Sequence, residues 1–112
     1  MSAEKMYLTW EDVTGMVAGL LKKIKPDDYD AILAVSRGGM IPACLISEAA
    51  NLRNILVAAV MFYTDVQETL TDPVFLQFPE DVLLYGKRIL IVDDVWDSGK
   101  TAVAVRERVL RA

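Results

Sequence analysis

Short apolar runs alternate with longer amphipathic stretches along this chain. Ala31–Val35, Ile55–Phe62 and residues 88–92 are rich in β-branched side chains, too brief for helices and bounded by polar or turn residues, so they read as buried strands. Between them the period changes. Thr9 followed by Asp12 three places on is a capping pair, and Val13, Met16, Val17, Leu20, Leu21 and Ile24 recur at the spacing of one buried helix face that ends before Pro26. A second helical run covers residues 41–50. A third opens near Thr101, with Val103, Val105, Val109 and Leu110 as its expected buried positions. Residues 63–80 contain Pro73 and Pro79 among mixed polar and aromatic side chains, show no sustained period, and read as one long loop, which in a compact domain is usually functional or disordered. Alternating strands and helices predict an α/β fold with a mainly parallel sheet flanked by helices. No linker, repeat or low-complexity tract divides it, so residues 1–112 are expected to form a single domain.

Composition narrows the functional classes. A chain of 112 residues with 54% hydrophobic and 25% charged residues is ordinary globular material, somewhat apolar. No apolar run reaches a membrane span, and the first ten residues lack the apolar core of a signal peptide, so a cytoplasmic location is expected. The lone Cys44 cannot form an intrachain disulfide and, in the context IPACLI, reads as core filler. The chain has no histidine, which removes His-based catalysis and zinc ligation by His. A net charge of −4 argues against nucleic acid as a partner, and Lys22, Lys23 and Lys25 read as the solvated end of a helix.

Two turns carry chemistry. In ILIVDDVWDSGKT, residues 89–101, Asp93 and Asp94 sit at the carboxyl end of a strand, where open α/β sheets meet their ligands. Ser98 and Gly99 then form a tight turn into a helix whose free N–H groups and dipole favour an anion, with the Ser98 and Thr101 hydroxyls as further donors. The segment therefore offers acceptors for hydroxyls and donors for a phosphate, the two things a sugar phosphate needs. It is not a nucleotide-binding P-loop, because the glycine that pattern requires five places before Gly99 is Asp94. Nor is it the acid pair of a response regulator, which would follow the first strand. The competing reading is that the aspartates merely solvate a turn. The second turn is Ser36-Arg37-Gly38-Gly39, which also follows a buried strand and precedes a helix, at the same sheet edge. Paired glycines let backbone N–H groups approach an anion closely, and Arg37 either adds charge to that anion or salt-bridges a nearby carboxylate.

ILIVDDVWDSGKT resembles the signature of type I phosphoribosyltransferases, and AVSRGGMIPA is similar to their pyrophosphate loop, particularly in the xanthine-guanine branch of purine salvage. Leu8-Thr9-Trp10 and Tyr63 are also similar to that branch, and the likeness runs from about residue 7 to the end of the chain. It implies a Rossmann-like core, phosphoribosyl pyrophosphate and a purine base (guanine, xanthine or hypoxanthine) as small-molecule substrates, Mg2+ as cofactor, and release of pyrophosphate. Asp93 and Asp94 would accept from the ribose hydroxyls, with Asp94 the metal ligand. Ser98, Gly99, Lys100 and Thr101 would hold the 5′-phosphate, and Arg37 and Gly38 the pyrophosphate, with a strained or cis peptide at that loop. Asp97 would be the catalytic acid beside the base's imidazole nitrogens. Tyr63 would belong to a lid, and the protein would be a homo-oligomer.

The chain departs from that pattern in places. Trp96 stands where a smaller aliphatic residue is usual, Phe62 replaces a serine before the lid tyrosine, and no lysine lies between Lys25 and Lys87. The family also continues past the helix in which this sequence ends, with strands and a segment that clamps the base, so a C-terminally truncated core is expected. Besides the transferase reading, a non-catalytic regulatory protein that binds phosphoribosyl pyrophosphate and a phosphate-binding structural domain are the alternatives.

Overall fold

The computed structural model describes residues 7–62, 73–94 and 99–112. Helix α1 (Trp10–Lys23) starts on a reciprocal capping box: the Asp12 N–H donates to the Thr9 hydroxyl at 3.1 Å, and the Thr9 N–H donates to the Asp12 carboxylate at 2.9 Å. A 3-10 turn at Pro26–Asp28 leads into β1 (Ala31–Val35). Then come α2 (Met40–Ala50), β2 (Ile55–Phe62), β3 (Pro73–Gln77), the single turn α3 (Asp81–Leu84), β4 (Ile89–Val92) and α4 (Lys100–Leu110). The sheet order is β3-β2-β1-β4, with β1 parallel to both β2 and β4 and β3 antiparallel to β2.

Strand β1 is the axis of the molecule, since all five of its residues are buried. Its alternating side chains feed two separate cores. Ile32 and Ala34 face Val17 of α1, Ala43 and Ile46 of α2 and Val92 of β4. Leu33 and Val35 face Ala58 and Val105 on the other side, where Phe75, Phe78 and Val109 complete the packing. Helices thus cover both faces, the arrangement that parallel strands require.

The structure corrects several expectations. Residues 73–77 are a strand within the stretch read as loop. Its first residue, Pro73, pairs with Phe62 at the edge of the sheet, where a missing N–H is tolerated, and its apolar run Val74-Phe75-Leu76 is only three residues long between a proline and a glutamine, too short to stand out as a strand. The short α3 was likewise unread, one turn being too little to show a period. The buried helix faces are narrower than predicted: Met16 and Leu20 are 54% and 49% exposed, Val103 and Leu110 are 49% and 66% exposed, and Ala104 with Val105 forms the buried line of α4. Cys44, expected in the core, is exposed on α2.

At the amino ends of β1 and β4, Asp30 and Arg88 lock the two strands together. The Arg88 guanidinium donates to both Asp30 carboxylate oxygens at 3.0 and 3.2 Å, and the Arg88 N–H donates at 2.8 Å. Those bonds, the side-chain one foremost, hold the Asp30 carboxyl at about 2.

Candidate functional site

Because β1 and β4 are adjacent and parallel, with Ala34 level with Val92, their carboxyl ends deliver both chemistry-bearing turns to one edge. The Ser36–Arg37 peptide is cis. The Ser36 N–H donates to the Ala58 carbonyl of β2 at 2.7 Å, and the Gly39 N–H donates back to the Val35 carbonyl at 2.9 Å, so the turn is folded tightly over the ends of three strands. A side chain on Gly39 would strike the Val92 carbonyl and lie 2.7 Å from the Val35 carbonyl. A side chain on Gly38 would overlap the Asp94 carboxyl group itself. The second glycine is there so that the turn can cross two strand ends, and the first so that the turn can receive Asp94.

Asp93 and Asp94 follow β4 directly. The Asp94 N–H donates to Asp93 Oδ1 at 2.8 Å, Asp93 is half-buried, and Asp94 is exposed. Burial, reinforced by the neighbouring Asp94 carboxylate, pushes the Asp93 carboxyl up from its ordinary value, while the hydrogen bond from the Asp94 N–H opposes the shift. Among the described residues no cluster of three metal-ligating side chains occurs. Two adjacent carboxylates suit Mg2+, which is commonly held by one or two carboxylates plus water and substrate phosphates, so the donor set fits that ion.

The residues expected to hold a phosphate divide. Gly99 is buried and left-handed (φ 81°), a conformation that favours glycine, and it starts α4 without a capping side chain. Lys100 is exposed and Thr101 half-buried in the first turn of α4. Ser98, Asp97 and Tyr63 lie outside the described residues. A cavity of about 300 Å³ adjoins this helix end, walled by Phe62, Gly99, Lys100, Val103 and Ala104 among others, while Asp93 and Asp94 stand outside its walls. The contact of Gly38 with Asp94 was not foreseen. Its only trace in the sequence is the paired glycine, which signals close backbone approach without naming what approaches.

A mainly parallel α/β sheet with a glycine-paired turn, an acid pair and a helix amino terminus on one edge is an arrangement that suits a phosphorylated sugar or nucleotide. The sequence model of the phosphoribosyl transferase domain matches residues 4–112, and the chain belongs to that family. It is 35% identical over 114 residues to a xanthine-guanine phosphoribosyltransferase of Idiomarina loihiensis, covering 99% of this chain and 68% of that protein. A purine phosphoribosyltransferase from Pyrococcus horikoshii superposes with a TM-score of 0.78 at 36% identity, covering 95% of this chain and 68% of the other. A Neisseria gonorrhoeae protein solved with bound ppGpp gives a TM-score of 0.82 at 26% identity, covering 99% of this chain and 66% of that one. The chain therefore spans about two thirds of the length of these relatives. Among the described residues no helix is long and apolar enough to cross a membrane.

Proposed function

We propose that this chain carries the phosphoribosyl pyrophosphate site of a purine salvage transferase, which moves the 5-phosphoribosyl group to guanine, xanthine or hypoxanthine and releases pyrophosphate. The observation that supports the reading is the seating of Asp94 against Gly38, a carboxylate of the kind that suits hydroxyls and Mg2+ directly beside a glycine-paired turn suited to an anion. The names of the relatives supply the base class. The ppGpp held by the Neisseria gonorrhoeae protein agrees with a site that accepts phosphates on either side of a ribose.

In this reading Arg37 and the backbone at Gly38 bind the pyrophosphate, and Asp93 with Asp94 accepts hydrogen bonds from the ribose 2′- and 3′-hydroxyls. Ser98, Gly99, Lys100 and Thr101 hold the 5′-phosphate, chiefly through backbone N–H groups at the start of α4. Asp94, with Asp93 beside it, holds the Mg2+, which when bound offsets the negative charge that pyrophosphate gains on leaving. Asp97 takes or shares the proton of the purine nitrogen that attacks the ribose C1. Tyr63 belongs to the segment that closes over the activated sugar and excludes water. Fixing leaving group, sugar and base in line lowers the barrier by removing the entropy of bringing them together. The substrates are metabolites of the cytoplasm, where the protein acts.

Calorimetric titration of the purified protein with phosphoribosyl pyrophosphate, with and without Mg2+, tests the reading when guanine, xanthine and hypoxanthine are then added and pyrophosphate is assayed. Mg2+-dependent binding followed by pyrophosphate release is expected. Absence of binding would remove the whole proposal, and binding without release would limit it to recognition.

A further inference from the structure

The amino edge of the sheet, opposite the site described above, has a cavity of its own, and two left-handed turns build it. Asn51 (φ 57°) ends α2 and redirects the chain so that Arg53 and Asn54 immediately precede β2. Gly86 (φ 71°) reverses the chain after α3, with the Lys87 N–H donating to the Leu84 carbonyl at 3.0 Å, so that Lys87 and Arg88 immediately precede β4. Between these two segments, across the first residue of β1, lies a cavity of about 230 Å³ walled by Arg53, Asn54 and Lys87, with Leu56 and Leu83 among its apolar residues.

The charge of this cavity runs against that of the chain. Acids outnumber lysines and arginines 16 to 12 overall, yet two cations and no acidic residue line the cavity. Among the described residues neither Arg53 nor Lys87 forms an ion pair. Arg53 makes one side-chain hydrogen bond, its Nε donating to Asn51 Oδ1 at 3.3 Å, which leaves its terminal nitrogens as donors. Asp30, the acid whose field reaches Lys87, is already taken by hydrogen bonds from Arg88. The carboxyl end of α2 accounts for a cation at Arg53, but not for Lys87, which reaches the same cavity from a different part of the chain.

We infer that this cavity binds a phosphate dianion, free or as a small phosphate monoester, with Arg53 and Lys87 facing its two negative charges. A guanidinium fork beside an ammonium suits a dianion with several acceptor oxygens better than a carboxylate, which brings a single charge. Asn54 supplies a further amide donor, and Leu56 and Leu83 give the organic part of a monoester an apolar wall. The cavity stands a full strand away from the carboxyl edge, about 16 Å for the five residues of β1. An occupant therefore does not compete with ligands bound at that edge.

Amide shifts of the isotopically labelled chain, followed by NMR while inorganic phosphate or phenyl phosphate is titrated at constant ionic strength, test the site with neither base nor phosphoribosyl pyrophosphate present. The outcome is therefore independent of the transferase reading. Saturating shifts are expected at Arg53, Asn54 and Lys87, and the tighter of the two probes tells free phosphate from a monoester. Arg53→Gln/Lys87→Gln should weaken binding at these amides at least tenfold, while any response at Gly99 and Lys100 stays as in wild type. Arg53→Lys/Lys87→Arg, which keeps both charges, should retain saturable binding and so separates loss of charge from loss of fold. Absence of a saturable shift at the amino edge, an equal shift with chloride (an adventitious ion only), shifts that persist in the Gln variant, or binding lost from the charge-keeping variant would each overturn the inference.

Discussion

The two ends of the β1–β4 pair use the same residue type in opposite ways. At the amino end Asp30 is consumed by Arg88: three hydrogen bonds satisfy its carboxylate, and its charge serves only to hold the strands in register. At the carboxyl end Asp93 and Asp94 have no cation in hydrogen-bonding reach among the described residues, and Gly38 keeps a side chain out of the path of Asp94. One edge of the sheet is closed by its acid, and the other is left open by two. The ion pair occupies most of the Asp30 acceptor sites, whereas the two carboxylates at the other end, with no cation beside them among the described residues, keep acceptors for the hydroxyls and metal proposed above.

That contrast can be broken or sharpened by substitution. The largest effect is expected at Asp97, where Asp97→Asn should slow transfer by about 10²- to 10⁴-fold, the usual worth of acid–base assistance, while leaving phosphoribosyl pyrophosphate affinity in place. Equal loss of rate and affinity, measured by steady-state kinetics beside calorimetry, would remove its assigned role. Next comes Gly38→Ala. Its methyl group must displace the Asp94 carboxyl, at about 1–3 kcal/mol of stability for an overpacked site, and Mg2+-dependent binding should collapse with it. A urea midpoint and an affinity both like wild type would show that the two turns are not coupled. Asp94→Asn keeps the shape and removes the charge. It should weaken Mg2+-dependent binding by about ten- to hundredfold, as losing a charged hydrogen-bonding partner does, with stability little altered. A urea midpoint that falls as far as in Gly38→Ala would mark Asp94 as a structural acid like Asp30.

The smallest effect belongs to the closed edge. Asp30→Asn should lower stability modestly and leave ligand affinity unchanged. The Asp30 carboxyl is held at about 2, below the ordinary value near 3.8, so its contribution is complete above about pH 4 and disappears as pH falls toward 2. Urea unfolding followed from pH 5 to pH 2 should therefore show a shallower acid-side decline in the Asn variant. An identical decline would mean that the Arg88 pairing contributes nothing in solution, the fate of many exposed ion pairs.

The strands that build the site were legible because burial on both faces makes them unbroken apolar runs; β1 and β2 have the bounds that their composition predicts. Helix α1 was legible from Thr9 and Asp12, a local signal that needs no tertiary partner. Strand β3 was not, since an edge strand with a proline at its start and only Val74-Phe75-Leu76 as an apolar run shows no alternation and is too short to stand out. The helix faces were read too wide, because periodicity marks which residues share a side but not how far the sheet beneath them extends. In the site, the acids and the glycines could each be found locally. That Gly38 exists to admit Asp94 could not, because the two are brought together only by the parallel pairing of β1 with β4.

The position of β1 has a further consequence on the scale of time. Paired along both edges and buried on both faces, it should release its amide protons to solvent only when the entire molecule opens, so residues 32–35 report global stability in hydrogen exchange. The Ser36 N–H, tied to the Ala58 carbonyl, extends that slow group by one residue into the turn. The foundation of the turn over residues 36–39 is thus expected to exchange as slowly as the core, with the ledge of aspartates beside it exchanging fast.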